Sequence, residues 1–322
     1  MILEIMLGVV AASSLTALCV VSLKLYIKLT TGMCKSQVCL VGKTALITGA
    51  NTGIGYETAI DFAKRGAKVI LACRDENKAK EAVNRIIKET HNSQVVYKLV
   101  DLTSFTSVRK FAMDINNTEE RLDILVNNAG AARLGNTVTE DGIDAVLQTN
   151  YFSHFLLTML LVDLMQKYPS RIVNVAAWGA SLGKIDFRKL TSFETEAKQY
   201  ITSKLCQVLF TIEFARRYKD TNITAYSLHP GVIKTEIFRN LTPVLRSTIL
   251  VFIDIFFKTV TEGAQTQIYC AIENGLEKYS GEHFQDCRNI KRYKSARDPD
   301  VAKKLWEESE RIVKLKTYEE RI

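Results

Sequence analysis

No two of the seven cysteines stand as Cys-x-x-Cys, and the four histidines lie far apart in the chain. A metal site of the usual ligand spacing cannot be read from such a sequence. The cysteines are odd in number and scattered (Cys19, Cys34, Cys39, Cys73, Cys206, Cys270 and Cys287), which argues against a disulfide framework and for a reducing compartment. No Lys/Arg run and no basic-aromatic motif accompanies the net charge of +8. That sign therefore points to anionic lipid or a phosphorylated cofactor, and not to nucleic acid. No repeat, low-complexity stretch or Pro/Gly-rich linker divides the chain after residue 40, so residues 40–322 read as one catalytic domain.

Charge is also missing from Ile5 to Leu23. As a helix this stretch would span roughly 28 Å at ~1.5 Å per residue, enough for a bilayer core. A membrane anchor over residues 1–28 is the expectation, with a cleaved signal peptide or a buried helix as alternatives. Glu4 is the only charged side chain before the segment, whereas Lys24, Lys28, Lys35 and Lys43 come after it. The positive-inside rule then places the domain in the cytosol, with the endoplasmic reticulum as the default membrane. On that side Asn116-Asn117-Thr118, Asn222-Ile223-Thr224 and Asn240-Leu241-Thr242 would not be glycosylated.

From Lys43 onward the chain alternates between two periods. Apolar runs Thr44–Thr48, Lys68–Cys73, Gln94–Val100, Leu122–Val126, Arg171–Val175 and Asn222–Leu228 read as strands. Between them, helical spacing covers Tyr56–Arg65, Glu76–Thr90, Phe105–Asn116, Ile143–Lys167 and Ala197–Tyr218. Repeated βα units predict an α/β fold: a single-domain, Rossmann-type, doubly wound parallel sheet behind the N-terminal anchor helix. Residues about 237–260 are unusually apolar but interrupted by Asp254. They are expected to form an apolar lid over a substrate, with a buried core helix as the alternative.

Two patterns carry chemistry. Gly49, Gly53 and Gly55, with Asn51, Thr52 and Ile54 between them, stand where the first strand gives way to a helix. Glycines there permit a tight turn and let a pyrophosphate approach the helix N-terminus. Tyr200 and Lys204 are four apart on a helix and share one face. The ammonium is expected to favour phenolate, lowering a pKa normally near ~10 and fitting the phenol for proton transfer near neutrality. At the end of the second strand, Arg74 precedes Asp75. A basic group there accepts a 2′-phosphate, so Arg74 favours NADP(H) over NAD, against the alternative of a solvated strand-end charge.

The joint order of these elements with Asp101-Leu102-Thr103, Asn127-Asn128-Ala129-Gly130, Asn150, His229-Pro230-Gly231-Val232, Gly263-Ala264-Gln265-Thr266 and Tyr279-Ser280-Gly281 resembles the short-chain dehydrogenase/reductase family. It is most similar to the membrane-anchored retinol dehydrogenases that prefer NADP(H). The resemblance implies Tyr200 as proton donor or acceptor at the substrate oxygen, Lys204 as the group that tunes it and binds the nicotinamide ribose, and Asn150 as holder of a water. It further implies Asp101 and Leu102 beside the adenine, and Asn128, Ala129 and Gly130 along the cofactor. Pro230, Val232 and Thr235 would stand at the nicotinamide end. One departure stands out. The family's serine after the fifth strand is replaced, in Asn174-Val175-Ala176-Ala177-Trp178, by Ala177. Loss of one preorganised donor costs about 10²–10³ in rate; Ser181 lies four residues on, and Trp178 is expected to pack.

The implied activity is interconversion of an apolar alcohol and its aldehyde or ketone, retinol and retinal foremost, with sterols or long-chain aldehydes as other substrates. A homodimer is left open. The rival is a catalytically silent relative that binds NADP(H) or lipid and acts through interactions.

Overall fold

The computed structural model describes residue 14 and residues 18–132, 134–233 and 257–315. Eight strands form one sheet: β1 (Thr44–Thr48), β2 (Lys68–Cys73), β3 (Val95–Leu99), β4 (Ile124–Asn127), β5 (Ser170–Val175), β6 (Ile223–His229), β7 (His283–Gln285) and β8 (Arg288–Ile290). Their order is 3-2-1-4-5-6-7-8. Pairing is parallel from β3 through β7, and β8 closes the edge as an antiparallel hairpin. Strands such as Thr-Ala-Leu-Ile-Thr are buried along their whole length because helices cover both faces.

One helical layer consists of α1 (Gly53–Lys64), α2 (Glu76–Thr90) and, later in the chain, α6 (Val260–Ile272). The other holds α3 (Phe105–Thr118), α4 (Ala145–Gln166), α5 (Glu196–Arg217) and α7 (Pro299–Ile312). Within β1, Leu46 faces the second layer while Ala45 and Ile47 face the first. Each fully buried Leu or Ile of this kind contributes about 1.5–3 kcal/mol.

Local chemistry sets the helix ends. Asp75 caps α2 by accepting from Lys78 N–H, and His91 ends it in the left-handed region at φ 56°. Ser104 and Thr195 cap α3 and α5, and Thr259 with Glu262 forms a reciprocal box at α6. Helix α4 is long and apolar enough to cross a membrane, yet 89% of its apolar window is buried inside the protein, so it is a core helix. Its chain passes through a π-helical turn at Gln148–Phe152, which re-aims Asn150.

Residues 18–30 are helical, while most of the expected anchor lies outside the described residues. So does the expected lid except for residues 257–260, of which Thr259 and Val260 open α6.

Candidate active site

The order of the sheet reverses between β1 and β4, and in open α/β sheets the crevice that receives ligands lies at that point, outside the carboxyl ends of the strands. Gly49 leaves β1 at φ +65° and Gly53 enters α1 at φ +61°, both in the region that favours glycine. Gly55 is demanded by space instead. A Cβ there would stand 2.5 Å from Asn128 Nδ2 and 2.7 Å from the Gly49 carbonyl oxygen. Thr52 precedes α1 without capping it through its side chain, so the helix N-terminus presents its first N–H groups to the crevice.

Asn128 ties this turn to β4, since its Nδ2 donates to Thr48 O at 2.7 Å. Its Oδ1 is buried and has no partner among the described residues. The Thr48 hydroxyl accepts the N–H groups of Asn128 (2.9 Å) and Ala129 (3.0 Å). Its oxygen also lies 2.9 Å from His154 Nε2 and 3.4 Å from the Val126 carbonyl, the two acceptors within reach of its proton. The Asn150 carbonyl, 3.1 Å from His154 Nδ1, can only accept, which favours the tautomer with its hydrogen on Nδ1. Full burial pushes His154 down to about 4, so it stays neutral.

Asn150 is fully engaged. Its Oδ1 accepts Ala131 N–H at 2.7 Å, and its Nδ2 donates to Ala131 O and to Ser203 Oγ, both at 2.9 Å. Its main-chain carbonyl takes Gln207 Nε2 at 2.5 Å. In this way α4 is locked to α5, the helix that carries Tyr200 and Lys204. The side chains of His154, Gln207, Ser203 and Thr48 are additions of the structure to the site read from sequence. Their spacing holds a signal: His154 comes four residues after Asn150 and Gln207 three after Lys204, each pair sharing a helix face.

Lys204 is buried, donates to Val175 O at 2.8 Å, and has its Nζ 5.7 Å from the Tyr200 ring centre. Gly130 closes over it, since a Cβ there would lie 3.2 Å from Nζ. Burial lowers Lys204 to about 8 and raises Tyr200 above its ordinary value. Burial of the phenol thus works against the pull expected of the ammonium. The cation is itself desolvated and aimed at a carbonyl, so the cost of burying phenolate dominates. Burial thus favours the neutral phenol of Tyr200.

Ala177 leaves β5 in extended conformation and is half-buried, and the next residue starts a 3₁₀ turn over Trp178–Leu182. Trp178 N–H donates to His229 Nδ1 at 3.1 Å, which fixes that turn to the end of β6. Contrary to the expected packing role, the Trp178 side chain is 56% exposed. Ser181 lies within the turn, half-buried. Arg74 is exposed at the end of β2 and Asp75 is occupied as the α2 cap. Asp101 Oδ1 accepts from Thr103 N and Oγ1 just past β3, and Leu102 is buried. Pro230 and Val232 come after β6, with Val232 exposed, and Thr235 lies outside the described residues.

The short chain dehydrogenase family model matches residues 43–245. Mouse (Mus musculus) retinol dehydrogenase 11 is 44% identical over 284 residues, covering 87% of this chain and 89% of the relative. Human (Homo sapiens) retinol dehydrogenase 12 is 42% identical over 278 residues, covering 85% and 87%. Among solved structures, an uncharacterized protein from Mycobacterium paratuberculosis superposes with a TM-score of 0.71 at 28% identity, covering 88% of this chain and 98% of its own. With the crevice, the glycine turn and the Tyr200–Lys204 helix in one place, these likenesses agree with the geometry: the chain belongs to the short chain dehydrogenase family and is an oxidoreductase of that family, similar to the retinol dehydrogenases.

Proposed function

We propose that the chain is an NADP(H)-dependent oxidoreductase that interconverts an apolar alcohol with its aldehyde or ketone, retinol and retinal foremost. The observation that carries this reading is the buried Tyr200–Lys204 pair, a neutral phenol with a cation one turn away, packed against Gly130. NADP(H) would supply hydride transfer, and the protein's task is to orient it and move one proton. Gly49, Asn51, Thr52, Gly53, Ile54 and Gly55 would receive the pyrophosphate. The unpartnered Asn128 Oδ1 fits a ribose hydroxyl, with Ala129 and Gly130 beside it. Asp101 and Leu102 would flank the adenine, and Pro230, Val232 and Thr235 the nicotinamide end.

Arg74 supports NADP(H) over NAD. Asp75 is spent on a helix cap, whereas the Arg74 guanidinium is exposed beside the crevice. Tyr200 would give its proton to the carbonyl oxygen during reduction, with Lys204 holding positive charge near it. Asn150 would act by clamping α4 to α5, since its side-chain atoms are already bonded.

The loops leaving β4, β5 and β6 expose Val138, Trp178, Leu182 and Val232, which suits an apolar substrate. Exposed Leu18, Val21, Leu25, Tyr26 and Leu29 on the 18–30 helix suit attachment to a membrane, for which the endoplasmic reticulum with the domain cytosolic is the reading adopted. Ala177 favours one second reading, a silent relative that binds cofactor and acts through interactions. A panel of retinol, retinal and shorter alcohols and aldehydes with both cofactors separates the two. Turnover of retinal with NADPH is expected, and Ala177→Ser should raise kcat by about tenfold or more. Tight NADPH binding without turnover would favour the silent relative.

A further inference from the structure

The β7–β8 turn holds three parts of the molecule at one carboxylate. Asp286 Oδ1 accepts the Gly32 N–H at 3.1 Å, just beyond the 18–30 helix. The same oxygen accepts Lys258 Nζ at 2.5 Å. Lys258 in turn donates its backbone N–H to Val232 O at 2.9 Å and bridges Ile233, the residues that continue from β6. Its stem lies against Gly231, where a Cβ would meet Lys258 Cδ at 2.6 Å. The residue just beyond the 18–30 helix is therefore three hydrogen bonds from the strand exit, through Asp286 and Lys258 to Val232.

The contact is built at a conformational cost. Asp286 and Cys287 are both left-handed, at φ 51° and 55°, as a two-residue hairpin turn of this kind requires. Neither is glycine, and such residues reach that region at a cost of about 1–2 kcal/mol. Gly32 approaches so closely that a Cβ would stand 2.0 Å from Asp286 O. Helix α6 reinforces both sides. Gln265 Oε1 accepts Cys34 N–H at 3.1 Å, and Thr266 Oγ1 accepts Cys287 N–H at 3.4 Å. Burial opposes ionisation of Asp286, but the Lys258 and Gly32 bonds outweigh it and hold the carboxyl below its usual range.

We propose that Asp286 is a positioning residue: its carboxylate clasps the end of the 18–30 helix to the β6 exit, so that a substrate dissolved in the bilayer meets the crevice at a set orientation. This rests on the reading of an oxidoreductase acting on apolar aldehydes at a membrane. The clasp makes no demand on a substrate arriving from water.

The test uses the full chain in phosphatidylcholine vesicles. Asp286→Gly deletes the carboxylate while keeping a residue suited to the turn, and Gly32→Ala breaks the contact from the other side. Both variants should lower kcat/KM for bilayer-dissolved retinal by about tenfold or more, while propanal reduction with NADPH changes by less than about twofold. Amide exchange at residues 31–34 should accelerate in both. A parallel fall for retinal and propanal would overturn the delivery role, as would no change for either. Unchanged exchange would overturn the clasp itself. If wild type reduces neither aldehyde, the oxidoreductase reading fails, and the exchange result still decides whether the clasp exists.

Discussion

Lys204 shows how much a single residue depends on its surroundings. Its ordinary value of 10.5 falls to about 8 because the ammonium is enclosed. The folded state thus binds this proton less tightly than the unfolded chain, so stability from this group rises with pH between about 8 and 10.5. Below that window the buried charge costs about 3 kcal/mol before relaxation. Lys204→Met should therefore abolish turnover yet stabilise the fold at pH 7 by about 1–2 kcal/mol, part of the gain being lost with the Val175 hydrogen bond. The advantage should shrink as pH rises from about 8 to 10.5; urea titrations at pH 7 and pH 10 would show it. Nothing in Tyr-x-x-x-Lys announces this. Spacing puts both groups on one face, but burial sets their pKa values, and burial belongs to the three-dimensional packing. Spacing alone therefore does not show how strongly burial opposes the pull of the ammonium on the phenol.

At the level of elements, periodicity is a good guide wherever a segment is long. Glu76–Thr90 is a helix with the expected limits, and β1 and β2 also match. The β7–β8 hairpin is not legible because each strand has only three residues, too few for an alternation to register. Helix α7 is absent from the expected elements, although Asp298 before Pro299 is a cap with a favoured first-turn proline after it. The π-helical turn at Asn150 has no sequence signature of its own. The ends of β2 and α2 are legible in type but not in division of labour. Only the structure shows Asp75 bonded as a cap and Arg74 exposed. Arg74→Glu should raise the KM for NADPH by about tenfold or more and leave NADH nearly unaffected, as loss of a charge-assisted contact to a 2′-phosphate requires. Steady-state kinetics with both cofactors would reveal an equal effect on the two if Arg74 is merely solvated.

For the whole molecule, function depends on where the sheet reverses and on what lies on either side of that point. The glycine turn comes from β1, the Asn128 tie from β4, Ala177 from β5 and the acid from α5, so four separate segments converge on one crevice. The buried Thr48–His154–Asn150–Gln207 network holds those segments in register without itself carrying a charge. In the proposed reaction Tyr200 delivers the proton to an apolar carbonyl while NADPH is consumed. The most direct measurement is NADPH oxidation with all-trans-retinal by wild type and by Tyr200→Phe, with NADPH affinity measured on both. Wild type should turn over, the variant should lose turnover by about 10² or more, and the two should bind NADPH similarly. A Tyr200→Phe enzyme that reduces retinal at the wild-type rate would contradict proton delivery by Tyr200.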